Sequence, residues 1–145
     1  MTTVRQLLQN KGHDVWFIEP DALVIDALRF MAEKDTGALL VLERENLIGI
    51  ISERDYARKV ALHGKSTVDT PVREIMTSEV VCVRPEQTVE ECMALMTNRR
   101  IRHLPVLSND KLEGVISIGD VVKEVISKQE FMIEQLENYI VMSSS

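Results

Sequence analysis

The chain has 145 residues, of which 45% are hydrophobic and 28% are charged, and its formal net charge is −6. That length suits one compact domain or two small subdomains with a shared core. An acidic chain with few aromatic side chains and no clustered basic face does not favour nucleic acid as a partner. No apolar run approaches the length of a membrane span, and residues 1–14 lack the apolar segment of a signal peptide, so the default expectation is a cytoplasmic protein.

The first half of the chain predicts five elements in the order β-α-β-β-α. The opening strand ends at Pro20, because the residue before a proline favours an extended backbone. The helix after it carries Leu23, Ala27 and Met31 at helical spacing. Two strands joined by a polar turn follow, and a second helix begins after Ser52. The predicted elements are a strand at 15–18, a helix at 21–34, strands at 38–42 and 48–52, and a helix at 53–62.

The second half predicts the same order of elements. A strand at 80–83 leads to Pro85, and the helix at 88–99 carries Val89, Met93 and Met96 at helical spacing. A hairpin at 103–117 follows, with Asn109 in its turn. From residue 118 to residue 141, apolar side chains recur at steps of three and four. This pattern predicts a long amphipathic helix that packs on the module or on a second subunit.

Two short segments lie outside these units. Residues 4–8 and 72–76 resemble each other, and each predicts a short helix that leads into a unit. Between the units, residues 63–71 have the composition of an exposed linker.

The two halves are a duplication. One constant offset of 65 residues aligns residues 16–60 with residues 81–125 without a gap. The aligned parts share the pattern GIISERD in the first copy and GVISIGD in the second. Its identical positions are Gly49 and Gly114, Ser52 and Ser117, and Asp55 and Asp120.

Helix capping is the local explanation of Ser52 and Asp55. The serine hydroxyl accepts from the backbone amide three residues later, and the aspartate accepts from the amide of the serine. Capping does not explain Gly49, because glycine inside a strand is unfavourable unless a backbone or a ligand comes close. It also gives no reason for the whole unit to recur in both halves.

Together these features resemble a tandem pair of cystathionine β-synthase (CBS) domains, an arrangement called a Bateman module and found in small stand-alone bacterial proteins. The resemblance covers residues 8–130. It rests on the duplicated glycine-serine-aspartate motif, on TGALLV at 36–41 and RHLPV at 102–106, and on the strand-proline openings FIEP and CVRP.

The resemblance implies an α/β (α+β) fold of two pseudo-twofold-related β-α-β-β-α units. Their sheets pack together with two clefts between them, and a long C-terminal helix follows. The implied boundaries are 8–62 for the first CBS domain, 63–71 for the linker, 72–130 for the second CBS domain, and 131–145 for the C-terminal helix and tail.

The resemblance also implies that the clefts bind adenine nucleotides. Family members bind AMP, ADP, ATP or S-adenosylmethionine, and some small bacterial members bind NAD(H). Carried over by position, Asp55 and Asp120 would hold the ribose hydroxyls, since an ionised carboxylate accepts two hydrogen bonds at once. Ser52 and Ser117 would contact ribose or phosphate and also cap their helices.

Adenine would lie against the opening and central strands and be contacted mostly by backbone groups. The candidate contacts are Val81, Cys82, Val83 and Ile101 for the Asp55 cleft, and Trp16, Phe17, Ile18, Gly37, Ala38, Arg102 and His103 for the Asp120 cleft, with Pro105 on the central strand of the second unit.

The two clefts differ in charge. Arg54 and Arg58 lie at the start of the second helix of the first unit, where the helix N-terminus also favours anions. The second unit has Gly119 and Lys123 at those positions. We therefore expect the Asp55 cleft to hold the more highly charged phosphate group.

Catalytic and metal chemistry have little support in the sequence. His103 could be a base or a metal ligand, but no second histidine stands at ligand spacing, so a structural or ligand-contacting role is favoured. Cys82, Cys92 and Met93 are expected to be core residues. No nucleophile–base pair and no phosphate-binding glycine loop is present, so we expect no enzyme, no catalytic cofactor and no metal site.

The function that the resemblance implies is regulatory. A homodimer would bind AMP, ATP or NAD and report the energy or redox state to an effector protein. Ligand between the units would favour one arrangement of the two halves. The alternative is an interaction or scaffold module without a ligand, against which the intact serine and aspartate pair in both copies argues.

Overall fold

The computed structural model describes residues 1–144 and contains the two predicted units followed by the long helix. The α/β class expected from the sequence is confirmed. The elements are α1 (Val4–Lys11), β1 (Phe17–Ile18), α2 (Val24–Lys34), β2 (Ala38–Glu43), β3 (Asn46–Ser52), α3 (Glu53–Asp55) with a π-helix (Tyr56–Ala61), α4 (Val72–Ile75), α5 (Val89–Arg99), β4 (His103–Ser108), β5 (Lys111–Ser117) and α6 (Ile118–Ser144).

The two halves differ in their sheets. In the first half β1 pairs parallel with β2, which pairs antiparallel with β3. In the second half β4 and β5 form a two-stranded sheet, and the strand predicted at 80–83 is reduced to one bridge between Val83 and Val106. That prediction was wrong because of a residue on the neighbouring strand. The Leu40 amide donates to the Trp16 carbonyl at 3.1 Å in the first half, and the matching residue in the second half is Pro105, which has no amide proton.

Each lead-in helix packs into the half of the chain to which it does not belong. Helix α1 buries Leu7 and Leu8 in the same core as Ile116 of β5, which belongs to the second half. Helix α4 buries Val72 and Ile75 in the core of the first half. The sequence predicted both helices, but it did not predict this exchange.

Matched backbone hydrogen bonds hold the exchanged helices in place. The amides of Val4 and Arg5 donate to carbonyl groups at 87 and 85, at 2.8 and 2.9 Å. The amides of Val72 and Arg73 donate to the carbonyls at 22 and 20, both at 2.8 Å. The acceptors in the two halves are separated by the offset of the sequence repeat, so the exchange follows the same pseudo-symmetry.

The exchange also explains the recurring glycines. A Cβ added at Gly49 would lie 2.6 Å from Met76 Sδ and 3.1 Å from the Thr77 carbonyl oxygen. A Cβ added at Gly114 would lie 2.9 Å from Leu8 Cδ2. In both copies the neighbour comes from the segment that crosses from the other half. The group that comes close to each glycine is therefore another segment of the same chain.

Two predictions about the helices need correction. Helix α5 buries Val89, Cys92 and Met96, while Met93 is exposed, because the first three lie on the stripe that faces the core of the second half. Burial raises the pKa of Cys92 to about 11. Helix α2 begins at Val24 instead of residue 21.

Helix α6 is one continuous element, as predicted, and it runs three residues beyond the predicted end at residue 141. Val121 is buried and Val125 packs against the core of the second half. Lys128 Nζ pairs with Glu90 Oε1 of α5 at 3.8 Å. Beyond it the helix continues to Ser144, and the last residue of the predicted tail, Ser145, lies outside the described residues. Within 1–144, no helix combines the length and the apolar character needed to cross a membrane.

We predict that Gly49→Ala lowers the free energy of unfolding by about 1–3 kcal/mol, because the added methyl must displace Met76 and approach the Thr77 carbonyl. The measurement is urea unfolding. Gly119→Ala is the matched control, since its Cβ would meet only Ser117 Oγ at 3.6 Å and alanine favours a helix. Equal stability of the two variants would contradict the close approach.

Candidate functional site

The serine and aspartate of each repeat form a complete capping box. At α3, Asp55 N donates to Ser52 Oγ at 3.1 Å, and Ser52 N donates to Asp55 Oδ2 at 3.0 Å. At α6, Asp120 N donates to Ser117 Oγ at 3.2 Å, and Ser117 N donates to Asp120 Oδ2 at 2.8 Å. The capping prediction is confirmed in both copies. Each carboxylate is therefore held in one orientation at the start of a helix.

Asp55 is almost fully engaged by its own chain. Its side chain is buried, and Oδ2 also accepts from Ser52 Oγ at 3.1 Å. Its Oδ1 accepts from Thr77 Oγ1 at 3.2 Å and pairs with Lys59 Nζ at 3.2 Å. A ribose hydroxyl could bind to Asp55 only by displacing Thr77 or Lys59.

Asp120 has a different partner and a free oxygen. Lys11 Nζ, from the end of α1, donates to Asp120 Oδ2 at 2.5 Å and to the Val115 carbonyl at 2.6 Å. No residue within 1–144 donates a hydrogen bond to Asp120 Oδ1. Burial by itself would raise the pKa of Asp120, but hydrogen bonds from Lys11 and from the Ser117 amide outweigh it, so this pKa lies below its usual value.

A cavity of about 330 Å³ lies between the two halves, next to the Lys11–Asp120 pair. The first half contributes the end of α2, strand β2 and the segment before β1. The second half contributes the facing ends of β4 and β5, and α1 contributes its last residue. The lining residues are Lys11, Gly12, Asp14, Trp16, Lys34, Asp35, Thr36, Ala38, Leu39, Leu40, Ile50, His103, Val115 and Ser117.

Trp16 forms an aromatic wall of the cavity. Lys34 Nζ lies 4.5 Å from the centre of the indole ring, and Phe30 meets the ring edge-on at 6.3 Å. The indole is 38% exposed. Because Lys34 Nζ lies over one face of the indole, a planar ligand would stack on the other face.

His103 is neutral near neutral pH. Burial is the main reason that its pKa is lowered, and the positive charges of Lys11 and Arg102 act in the same direction, against the opposing effect of Asp120. A neutral imidazole has one donor and one acceptor nitrogen. Within the described residues no group of three or more histidine, cysteine or acidic side chains is arranged to hold a metal ion.

The structure brings part of the predicted Asp120 cleft together. Trp16, Ala38, His103 and Ser117 line the cavity, and Asp120 contacts two of its lining residues. Other candidates on this side do not line it. Ile18 packs against the core of the first half, and strand alternation turns Phe17 away from the face of Trp16. The other two are Gly37, whose carbonyl accepts from Glu53 N at 3.0 Å, and Arg102, which is exposed.

The candidates for the Asp55 side are packed more tightly. Val83 is buried in the core of the second half, and Val81 and Ile101 pack against it. Cys82 is half-buried, and burial raises its pKa. The last candidate, Pro105, is also buried.

The two arginines of the Asp55 side lie at the surface. Arg58 is exposed. Arg54 Nη1 donates to the Arg100 carbonyl at 2.8 Å, across the boundary between the halves. The predicted phosphate contact of both arginines stays a prediction.

Sequence reasoning missed the two cations of the cavity. Lys11 reaches Asp120 only because α1 crosses to the second half, and no local pattern indicates such a crossing. Lys34 lies in the last turn of α2, one residue before the left-handed Asp35. At the offset of the repeat, Lys34 matches Arg99 and Asp35 matches Arg100. The cation that both helix ends share could have marked this position as a feature of both halves.

Comparison with known proteins identifies relatives over most of the chain. A family model of the CBS domain matches residues 4–62 and 72–127. The chain is 39% identical to the CBS domain-containing protein CBSX3, mitochondrial, of Arabidopsis thaliana, over 96% of this chain and 72% of that protein.

Solved structures share the fold. A putative signal-transduction protein with CBS domains from Burkholderia ambifaria MC40-6 is 51% identical and has a TM-score of 0.85, over 88% of this chain and 96% of the other. A hexameric CBS-CP12 protein from bloom-forming cyanobacteria is 34% identical and has a TM-score of 0.74, over 84% of this chain and 71% of the other.

We predict that Asp120→Asn lowers the free energy of unfolding by about 1 kcal/mol at pH 7, because the amide loses the charge that pairs with Lys11. The folded-state pKa of Asp120 is depressed, so its stabilising charge is present above the ordinary value of 3.8 and is lost as the pH falls through the folded-state pKa. Urea unfolding should therefore show a difference at neutral pH that disappears in acid. Asp69→Asn in the exposed loop is the control, and a difference that persists in acid would contradict the account.

Proposed function

Since the chain belongs to the CBS-domain family, whose tandem domains are generally regulatory modules, we propose that it is a sensor that binds an adenine nucleotide beside Asp120. The observation that carries this proposal is the cavity between the halves, which is next to a carboxylate with an unengaged oxygen. A second carboxylate, Asp55, has the same position in the repeat but no such oxygen.

The ribose would bind to Asp120. Its Oδ1 can accept from two adjacent hydroxyl groups, while Oδ2 keeps its bonds to Lys11 and to the Ser117 amide. The depressed pKa keeps the carboxylate ionised, and hydrogen bonds to an ionised acceptor are the stronger ones.

The phosphates would lie between the two lysines and the start of α6. Lys11 and Lys34 both line the cavity, and α6 begins directly after Ser117. A helix N-terminus and two ammonium groups all favour an anion. The acidic Asp14 and Asp35 also line the cavity, so the binding of a highly charged polyphosphate depends on how far it lies from them.

The adenine would contact Trp16. A purine ring stacked on an indole adds roughly 1–3 kcal/mol of binding free energy. The same pocket chemistry suits AMP, ATP and the adenosine half of NAD, which is the ligand class expected from the sequence. Because the cavity contains no recognisable reacting group, we propose a role in sensing without turnover.

Binding would be read out through the arrangement of the two halves. Ala38 and Leu40 of the first half and Val115 and Ser117 of the second line opposite sides of the cavity. A ligand between them shifts the arrangement only as far as its affinity for the two arrangements differs. The signal would then pass to an effector protein.

We also propose that a second copy of the chain covers α6. The part after Lys128 is about 24 Å long, and the side chains of residues 129–140 are exposed. Ile126, Ile133 and Leu136 follow a seven-residue pattern with Val122, and Ile133 and Leu136 are 56% and 60% exposed. An isolated helix of this length is marginal in water, and its apolar stripe needs a partner.

A second copy is the partner that the pattern favours. Isoleucine at the first and leucine at the fourth position of a heptad are typical of a helix that pairs with its own kind. The related CBS-CP12 protein is hexameric, which supports self-association for this chain as well. The exposed stripe is also the observation that favours the alternative function, an interaction module without a ligand.

We predict that AMP, ATP or NAD quenches the fluorescence of Trp16, the only tryptophan of the chain, because the base covers the indole. At a free nucleotide concentration about one hundred times Kd, binding should add about 2.7 kcal/mol to the stability. That gain raises Tm by roughly 5–10 °C. Fluorescence titration and scanning calorimetry measure the two effects.

Asp120→Ala should remove both effects, and Asp69→Ala in the exposed loop should retain them. The absence of quenching and of a Tm shift with all three nucleotides at millimolar concentration would overturn the sensor and leave the interaction module.

We predict that the double variant Ile133→Glu, Leu136→Glu is monomeric in analytical ultracentrifugation, whereas the unmodified chain sediments as a dimer or a larger oligomer. Two charges in the apolar stripe of α6 cannot be buried against a second copy. Phe131→Glu is the matched control, because Phe131 is exposed on the opposite face of the helix and this variant should still associate. A monomeric unmodified chain, or an associating double variant, would contradict the proposed contact.

A further inference from the structure

The repeat places corresponding residues on the Asp120 side and on the Asp55 side of the molecule. The cavity beside Asp120 is lined by Asp35 at the end of α2 and by Ser117 at the end of β5. The offset of the repeat matches these residues to Arg100 and Ser52. Both Asp35 and Arg100 have a left-handed backbone, with φ of 52° and 54°, so the two helix ends have the same shape.

Arg54 occupies the Asp55 side. It lies in α3 between Ser52 and Asp55, and its Nη1 donates to the Arg100 carbonyl at 2.8 Å. The Arg54 side chain therefore links the start of α3, next to Ser52, to Arg100. The residues that match Ser52 and Arg100 line opposite sides of the cavity beside Asp120.

The matching residue on the other side is Gly119, which has no side chain to make the corresponding link to Asp35. A Cβ built at Gly119 would meet only Ser117 Oγ, at 3.6 Å, and its φ is not in the left-handed region. Neither space nor backbone conformation therefore requires a glycine at this position. With glycine here, no side chain from this position joins the start of α6 to the end of α2.

The carboxylates of the two sides differ as well. Asp55 is bonded through both oxygens, including the bond from Thr77, and is only 8% exposed. Asp120 keeps Oδ1 unengaged within the described chain. The arginine that bridges the halves and the fully engaged carboxylate thus occur on the same side, while the glycine and the carboxylate with an unengaged oxygen occur on the other.

We propose that Arg54 is a latch that closes the Asp55-side cleft, so that each chain binds one adenine nucleotide, in the cavity beside Asp120. This inference rests on the proposed function, and it names Arg54 and Gly119 as the pair that sets the number of sites. It opposes the expectation from the sequence that Arg54 contacts phosphate. The two alternatives predict opposite effects when Arg54 is removed.

The first test is the stoichiometry of binding, by isothermal titration with ATP, AMP and NAD in turn. The unmodified chain should bind one nucleotide per chain. Arg54→Gly should bind a second nucleotide with lower affinity, because its ribose still has to displace Thr77 or Lys59 from Asp55. A phosphate-binding Arg54 would instead make this variant lose affinity without gaining a second site. Gly119→Arg should lose binding, because the new side chain can reach the Asp35 carbonyl as Arg54 reaches Arg100. Arg29→Ala, which removes an exposed arginine on α2, is the matched control and should bind like the unmodified chain.

Three results would overturn the latch: two sites in the unmodified chain, an unchanged or weakened site in Arg54→Gly, or normal binding by Gly119→Arg. If the unmodified chain binds none of the three nucleotides, the proposed function fails, and a second measurement then decides the latch by itself. The crystal structure of nucleotide-free Arg54→Gly should have an open cleft between Ser52 and Arg100. A cleft still closed by other side chains would overturn the latch without any reference to nucleotides.

Discussion

Helix α1 packs its apolar side chains into the core of the second half, and α4 packs into the core of the first. This exchange is the constraint on which the rest of the structure depends. Neither half has a complete core without a segment of the other. The approach of the crossing segments accounts for Gly49 and Gly114, and the end of α1 delivers Lys11 to Asp120. The exchange of helices thus completes both cores, accounts for the repeated glycines and brings the charge of Lys11 to the candidate site.

The duplication supplies two equivalent frames, and a few side chains make them different. Each frame has a capped helix whose serine and aspartate are held by the same bonds. In one frame Thr77 and Lys59 complete the coordination of the carboxylate, and in the other Lys11 binds one oxygen only. A duplicated fold can thus keep its stability in both copies while a ligand site is open in one.

The sequence predicted the order of elements, the duplication, the caps and the long helix, because periodicity and capping are local signals. It missed what depends on distant contacts. The strand before Pro85 was lost because Pro105, on the neighbouring strand, lacks an amide proton. Cys92 is buried as expected, but Met93 was wrongly placed in the core because helical spacing alone allows either stripe. Lys11 and Lys34 were missed because their place in the site follows from the exchange of helices and from the end of α2.

The central claim is that this chain holds one adenine nucleotide, between its halves and on the Asp120 side. The most direct measurement is the electron density of crystals of the unmodified chain grown with saturating ATP. The account predicts one nucleotide per chain, with its ribose on Asp120, its base on Trp16, and Arg54 still bonded to the Arg100 carbonyl. Density for ATP on the Asp55 side, in both clefts, or in neither would contradict it.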